Sequence, residues 1–186
     1  MRVSEAERWI ETFASEVGVQ PPKLRVKPKM KGCMYNALTH SIVVGDTVLA
    51  GSDDDVQVTL AHEVGHVTQR RAIIMDVVPF LVASIFIAAA FCFCSYLALG
   101  YFAGHNQVVV AAALASMLAL FAIGLRWFER WFEPRYISRE LHADAVSAKL
   151  CGAAKALALM RSFSTGSAVS AEIRARLEHL EALSRA

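Results

Sequence analysis

The stretch VVPFLVASIFIAAAFCFCSYLAL occupies residues 77–99, GYFAGHNQ follows at 100–107, and VVVAAALASMLALFAIGL fills 108–125. Between Asp76 and Arg126, 49 consecutive residues include no Lys, Arg, Asp or Glu. All the charges of the chain (19 basic, 17 acidic, net +2) therefore fall in the remaining residues, about 26% of them, the usual share for a soluble globular domain. This distribution excludes an intrinsically disordered chain, a collagen-like one and a small disulfide scaffold. It describes an ordinary polar domain with a long apolar segment spliced into it.

At about 1.5 Å per residue the two apolar runs reach roughly 35 and 27 Å, against a hydrocarbon core of about 30 Å. Two glycines and a polar tip separate them. The expectation is a transmembrane helical hairpin that divides the chain into residues 1–76, 77–125 and 126–186. A buried helical pair in a soluble protein would need more chain to wrap it than the rest of the sequence supplies. Arg70 and Arg71 precede the first run, and Arg126, Arg130, Arg135 and Arg139 follow the second, whereas the loop carries only His105. Basic residues stay on the cytoplasmic side, so both flanks, both termini and any site those flanks build are expected there. Trp127, Phe128, Trp131 and Phe132 read as interfacial anchors. Nothing at the N-terminus resembles a signal or transit peptide.

Residues 1–17 read as an amphipathic helix, with Ser4 and Glu7 as a capping box and Ala6, Trp9, Ile10, Phe13 and Val17 on one face. Gly18 and Pro21-Pro22 end it. Lys23, Arg25, Lys27, Lys29 and Lys31 alternate with other residues, so a strand here would set five cations on one face. Such a face suits either anionic lipid headgroups or plain solvent; no nucleic-acid motif accompanies it, and no nucleic-acid partner is expected. Ile42-Val43-Val44-Gly45-Asp46 reads as a strand and turn whose edge can pair with an extended substrate. His40, His105 and His179 read as surface histidines. The four cysteines form no C-x-x-C pair and read as small apolar fillers.

The chemistry begins at Ser52-Asp53-Asp54-Asp55. Ser52 can cap a helix whose first turn carries three acids at the positive end of its dipole. That helix leads to His62-Glu63-Val64-Gly65-His66. His62 and His66 stand four residues apart, so both imidazoles leave the same face and can bind one ion. Zinc accepts such nitrogen ligands in a tetrahedral site with one position open for water, which Glu63 can deprotonate as general base before passing the proton to the leaving amine.

A third ligand is needed, and the stretch 137–144, ISRELHAD, offers one. Glu140 and Asp144 share a face of another predicted helix. Glu140 can ligate the metal, while Asp144 can accept the spare ring N–H of a ligand histidine, His62 by preference, and so fix its tautomer. The alternative is an exposed acidic pair. Glu140 follows His66 by 74 residues, 49 of which are the uncharged insert; a hairpin returns the chain close to its entry point and lets the two helices meet.

HEVGH, then a hairpin, then SRELHAD resembles the CAAX prenyl protease/HtpX family of membrane zinc metallopeptidases, of the gluzincin type with HExxH plus ExxxD. The resemblance implies a zincin-like α+β domain, mostly helical, with the hairpin inserted, one zinc per chain, and Glu140 and Asp144 as third ligand and supporting acid. Asn36-Ala37 resembles the family's N-A-[FL] segment beside the substrate-binding edge strand, and Arg176-Leu177 with Leu180 its late R-[IL]-x-x-L helix. Ser170-Ala171 stands where a His-Pro is usual, and no transmembrane pair precedes the HEVGH helix, so a short member is expected.

The expected function is a membrane-anchored zinc endopeptidase that cleaves membrane or unfolded polypeptides by Glu63-assisted attack of a zinc-bound water, with a role in protein quality control implied by the resemblance. His66 lies 11 residues before Val77, about 17 Å if the path is helical. Asn36, Arg139 and His142 are candidate substrate or oxyanion contacts. The alternative is a non-catalytic zinc-binding membrane module that regulates another protease, although structural zinc has no need of Glu63. An intramembrane protease of the site-2 type is disfavoured because the motif lies among Asp53 to Asp55, Gln57, Gln69 and Arg70 rather than within an apolar span.

Overall fold

The computed structural model describes residues 2–102, 107–164 and 170–185, with the side chains of 97–102, 107–110 and 113–114 excepted. The expected hairpin tip around His105 lies outside the described residues. The elements run α1 (Arg2–Glu16), β1 (Lys23–Lys27), β2 (Cys33–Asn36), β3 (Ser41–Gly45), α2 (Asp46–Leu49), α3 (Asp53–Thr68), α4 (Arg70–Phe102), α5 (Gln107–Cys151), α6 (Ala153–Ser164) and α7 (Ala171–Arg185). The fold is α+β and mostly helical, with a small sheet, as the sequence leads one to expect. It divides into two units, Met1–Ile73 with Tyr136–Ala186, and Ile74–Arg135.

In the first unit the apolar run of β3 takes the centre of the sheet, in the order β1-β3-β2. It lies parallel to β1, with Leu24 opposite Ile42, and antiparallel to β2, with Tyr35 opposite Ile42. A strand paired on both sides and buried on both faces reads as a continuous apolar run. The edges of the sheet therefore belong to β1 and β2, and the expectation that residues 42–46 offer an edge is corrected. A second correction concerns the basic stretch. β1 stops at Lys27, and Lys29, with φ of 63°, sits in the turn beyond it, so the face holds Lys23, Arg25 and Lys27 rather than five cations.

α1 lays Ala6, Ile10 and Phe13 against Ile42 and Val44 of β3 and Val56, Leu60 and Val64 of α3. It begins at Arg2, so Ser4 lies inside the helix and not at its cap. Arg2 instead ties the start of α1 to the Leu49 carbonyl and to Asp53. The cap expected at Ser52 forms, its Oγ accepting the Asp55 N–H at 3.2 Å. A second cluster of Val58, Ala148, Leu157, Met160 and Leu180 packs α6 and α7 against α3 and α5.

The second unit consists of the remaining parts of α4 and α5. Among the described residues one stretch, Arg70–Tyr96, is long and apolar enough to cross a membrane, with none of its apolar window buried. The second apolar run lies in α5, where Leu118, Leu120 and Ile123 are exposed. Phe80 of α4 and Phe128 of α5 meet with ring centroids 4.7 Å apart. The helix carrying Glu140 is not separate from this second run: α5 is continuous over 45 residues and passes through Pro134. On the other side α3 stops at Thr68 and α4 starts at Arg70, so Gln69 interrupts the helix that follows His66.

Candidate metal centre

α3 and α5 touch backbone to backbone where Gly65 meets Ala143, and the side chains one turn away on either helix face one another. His62 and His66 project together, with ring centroids 4.8 Å apart and planes at 88°. Glu140 reaches both: its Oε2 is 3.3 Å from Nε2 of His62 and its Oε1 3.4 Å from Nε2 of His66. One donor atom from each of the three residues falls within 4.8 Å of the others. Asp144 Oδ1 lies 2.9 Å from Nδ1 of His62, which directs the remaining ring nitrogen, Nε2, towards Glu140. Two imidazole nitrogens and a carboxylate oxygen converging with room beside them are a donor set that fits a divalent ion of the zinc type.

The ionisable groups of the site also shift one another. Burial would lower the His62 pKa, but hydrogen bonds with Asp144 and Glu140 outweigh it and raise it to about 9. Burial likewise opposes ionisation of Glu140, yet hydrogen bonds from His62 and His66 and the charge of Arg176 hold its carboxyl well below the usual range. A divalent ion at this site would compete with a proton on His62, whereas Glu140 favours its ionised form.

Glu63 is buried, 6% exposed, and accepts the backbone N–H of Tyr35 on β2. Burial raises its pKa, opposed by the neighbouring His62 and His66, which suits a group that must hold and release a proton. It faces a cavity of about 590 Å³ together with both histidines and Glu140. Its lining includes Cys33, Met34 and Tyr35 of β2 and the apolar side chains of Val58, Ala156, Leu159 and Met160.

Of the expected contact residues, Arg139 lines the cavity. His142 does not: it is exposed, and its Nε2 is 2.9 Å from the Thr68 hydroxyl. Asn36 closes the turn after β2, its Oδ1 accepting the N–H groups of Leu38 and Thr39. His40 is not a plain surface residue, for its Nδ1 bonds the Tyr35 hydroxyl at 2.9 Å while Nε2 is buried without a hydrogen-bond partner among the described residues, and His179 Nε2 is buried in the same way.

Three cavity residues escape a reading of the sequence. Tyr136 stands one turn before Glu140, a periodicity that could have revealed it; burial first, then Glu140 and Glu172, push its pKa up to about 12. Cys33 lines the cavity, where burial and the charge of Glu63 push its thiol pKa up and keep it neutral. Arg176 sits on α7 with its guanidinium against both Asp144 and Glu140. Its only sequence signal is the late R-[IL]-x-x-L match, which names no partner.

A helix-borne pair of histidines with an adjacent glutamate, completed by a glutamate from a second helix, defines a metallopeptidase type of centre. The sequence profile of Peptidase family M48 matches residues 4–181, and the chain belongs to that family. It is similar to the proteins named Protease HtpX of Salmonella arizonae, Salmonella newport and Salmonella agona, each 28% identical over 182 residues that cover 87% of this chain. The chain spans 60% of the length of these curated relatives. No solved structure matches it.

Proposed function

We propose that the chain is a membrane-anchored, zinc-dependent endopeptidase acting on extended segments of membrane or unfolded polypeptides. The observation that carries this reading is the convergence of His62, His66 and Glu140 on one point of an open cavity that Glu63 also faces. A divalent ion held there, when bound, acidifies a water and polarises a carbonyl. Glu63 takes the proton of the attacking water and delivers it to the leaving amine. Asp144 keeps His62 in the tautomer that presents Nε2. Arg139, on the cavity wall, is a donor for the charge developing on the carbonyl oxygen.

The position of β2, an edge strand that lines the cavity, supports the choice of an extended polypeptide. A strand laid along it bonds through its backbone, which tolerates varied sequences, and its apolar side chains can enter the lobe formed by Val58, Ala156, Leu159 and Met160. The membrane reading is supported by the length and exposure of Arg70–Tyr96, and the basic flanks favour a two-pass topology with the peptidase part cytoplasmic. Substrates in or near the bilayer then fit a quality-control role.

The test is cleavage of a generic unfolded protein by the full chain in detergent. Activity should disappear with a chelator and return with added zinc. Stoichiometric zinc without any cleavage would instead favour a non-catalytic zinc-binding module.

A further inference from the structure

Two carboxylates one turn apart on one helix repel each other, and Glu140 and Asp144 are both buried, 7% and 3% exposed. A single guanidinium lies against both. Nε and Nη2 of Arg176 form a fork on Asp144, 2.8 Å to Oδ2 and 2.8 Å to Oδ1, while Nη1 reaches Oε2 of Glu140 at 3.0 Å. Oδ1 of Asp144 is also the atom that meets Nδ1 of His62. Arg176 therefore touches both the acid that orients His62 and the acid that is the third ligand, from a helix that bears none of the motif residues.

We infer that Arg176 is the positioning residue of the metal centre, its planar fork fixing Asp144, and through it His62, in the orientation that receives the ion. This rests on the reading that His62, His66 and Glu140 hold a metal. Nη1 of Arg176 also lies 3.6 Å from Oε1 of Glu172 on its own helix, so the guanidinium serves three acids without being one of the three converging donors. Charge alone is not the essential feature, because a cation beside a metal site also repels the incoming ion. What Arg adds is geometry: a rigid planar donor matches a carboxylate with two parallel bonds, which the point charge of a lysine cannot do.

Substitution by Lys separates the two contributions. Arg176→Lys keeps the charge and loses the fork; Leu180→Ala, two side chains further along the buried face of α7, unpacks the same helix without altering a group at the centre. The full chain in detergent is titrated with zinc against a competing chelator, and the visible spectrum of its cobalt-substituted form is recorded. Arg176→Lys should bind zinc about 10–100-fold more weakly than wild type, the range for a lost supporting contact, and should shift the cobalt bands. Leu180→Ala, compared as its folded fraction, should stay within about threefold with unchanged bands. Wild-type affinity and spectrum in Arg176→Lys would overturn the inference, as would an equal loss in both variants, which would make Arg176 only a fastening for α7. Should Arg176→Lys fail to fold, Arg176→Gln, which retains a planar amide, serves with the same expectations and the same overturning results. If wild type itself took up no stoichiometric zinc, the failure would lie with the metal-site reading instead.

Discussion

Gly65 and Ala143 are in backbone contact: a β-carbon on Gly65 would lie 2.7 Å from the Ala143 Cα and 3.1 Å from its carbonyl oxygen. The glycine within HEVGH is thus the point at which α3 admits α5, and it sets the separation at which His62 and His66 meet Glu140. Gly65→Ala would gain about 1 kcal/mol of helix propensity, but the contact is with backbone, which cannot swing aside as a flexible side chain can. Overpacking of about 1–3 kcal/mol should prevail. The expected result is a lower unfolding midpoint and zinc affinity reduced at least about tenfold, measured by thermal denaturation and chelator competition.

Asp144 fixes the His62 ring without being one of the three converging donors. Asp144→Asn preserves its shape but loses the charge that favours an Nδ1–H. Zinc affinity should fall about 10–100-fold with one site per chain retained at saturation, as read by titration and elemental analysis.

The raised pKa of His62 has two opposite consequences for pH dependence. In the metal-free protein the folded value, about 9, exceeds the ordinary 6.5. Protonation therefore stabilises the fold fully below pH 6.5, and this contribution is lost as pH rises through about 9. Zinc must expel the same proton, so its affinity should rise by about tenfold per pH unit over that window. Denaturation of chelated protein and zinc competition at a series of pH values should show trends of opposite sign.

The proposed two-pass topology places residue 105 on the far side of the membrane from both termini. Reporters fused at His105 and at the C-terminus should give opposite signals in intact cells; signals from the same side would remove the hairpin.

Much of this was legible because it rests on local periodicity. The four-residue spacing of His62 and His66, and of Glu140 and Asp144, states which side chains share a helix face, and Ser52 marks where α3 begins. The uncharged insert between the motifs suggested that distant residues could be neighbours. What escaped depends on tertiary placement. Nothing in Ile42-Val43-Val44 distinguishes an edge strand from a central one; that follows from β1 and β2 flanking it. Nothing in the sequence states that the helix of Glu140 is continuous with the second apolar run, yet α5 runs through Pro134. Asn36 and His142 carry functional groups suited to a substrate, but a local turn and Thr68 engage them. Arg176 lies 32 residues from Asp144 on another helix, and no spacing rule links the two.

The central claim is that Glu63 performs chemistry at a metal held by its neighbours. The most direct measurement takes Glu63→Gln beside wild type in detergent and determines zinc per chain and cleavage rate on the same samples. The account predicts one zinc per chain in both, with cleavage in the variant lower by about 10²–10⁴-fold. Undiminished cleavage by a fully zinc-loaded Glu63→Gln variant would contradict it.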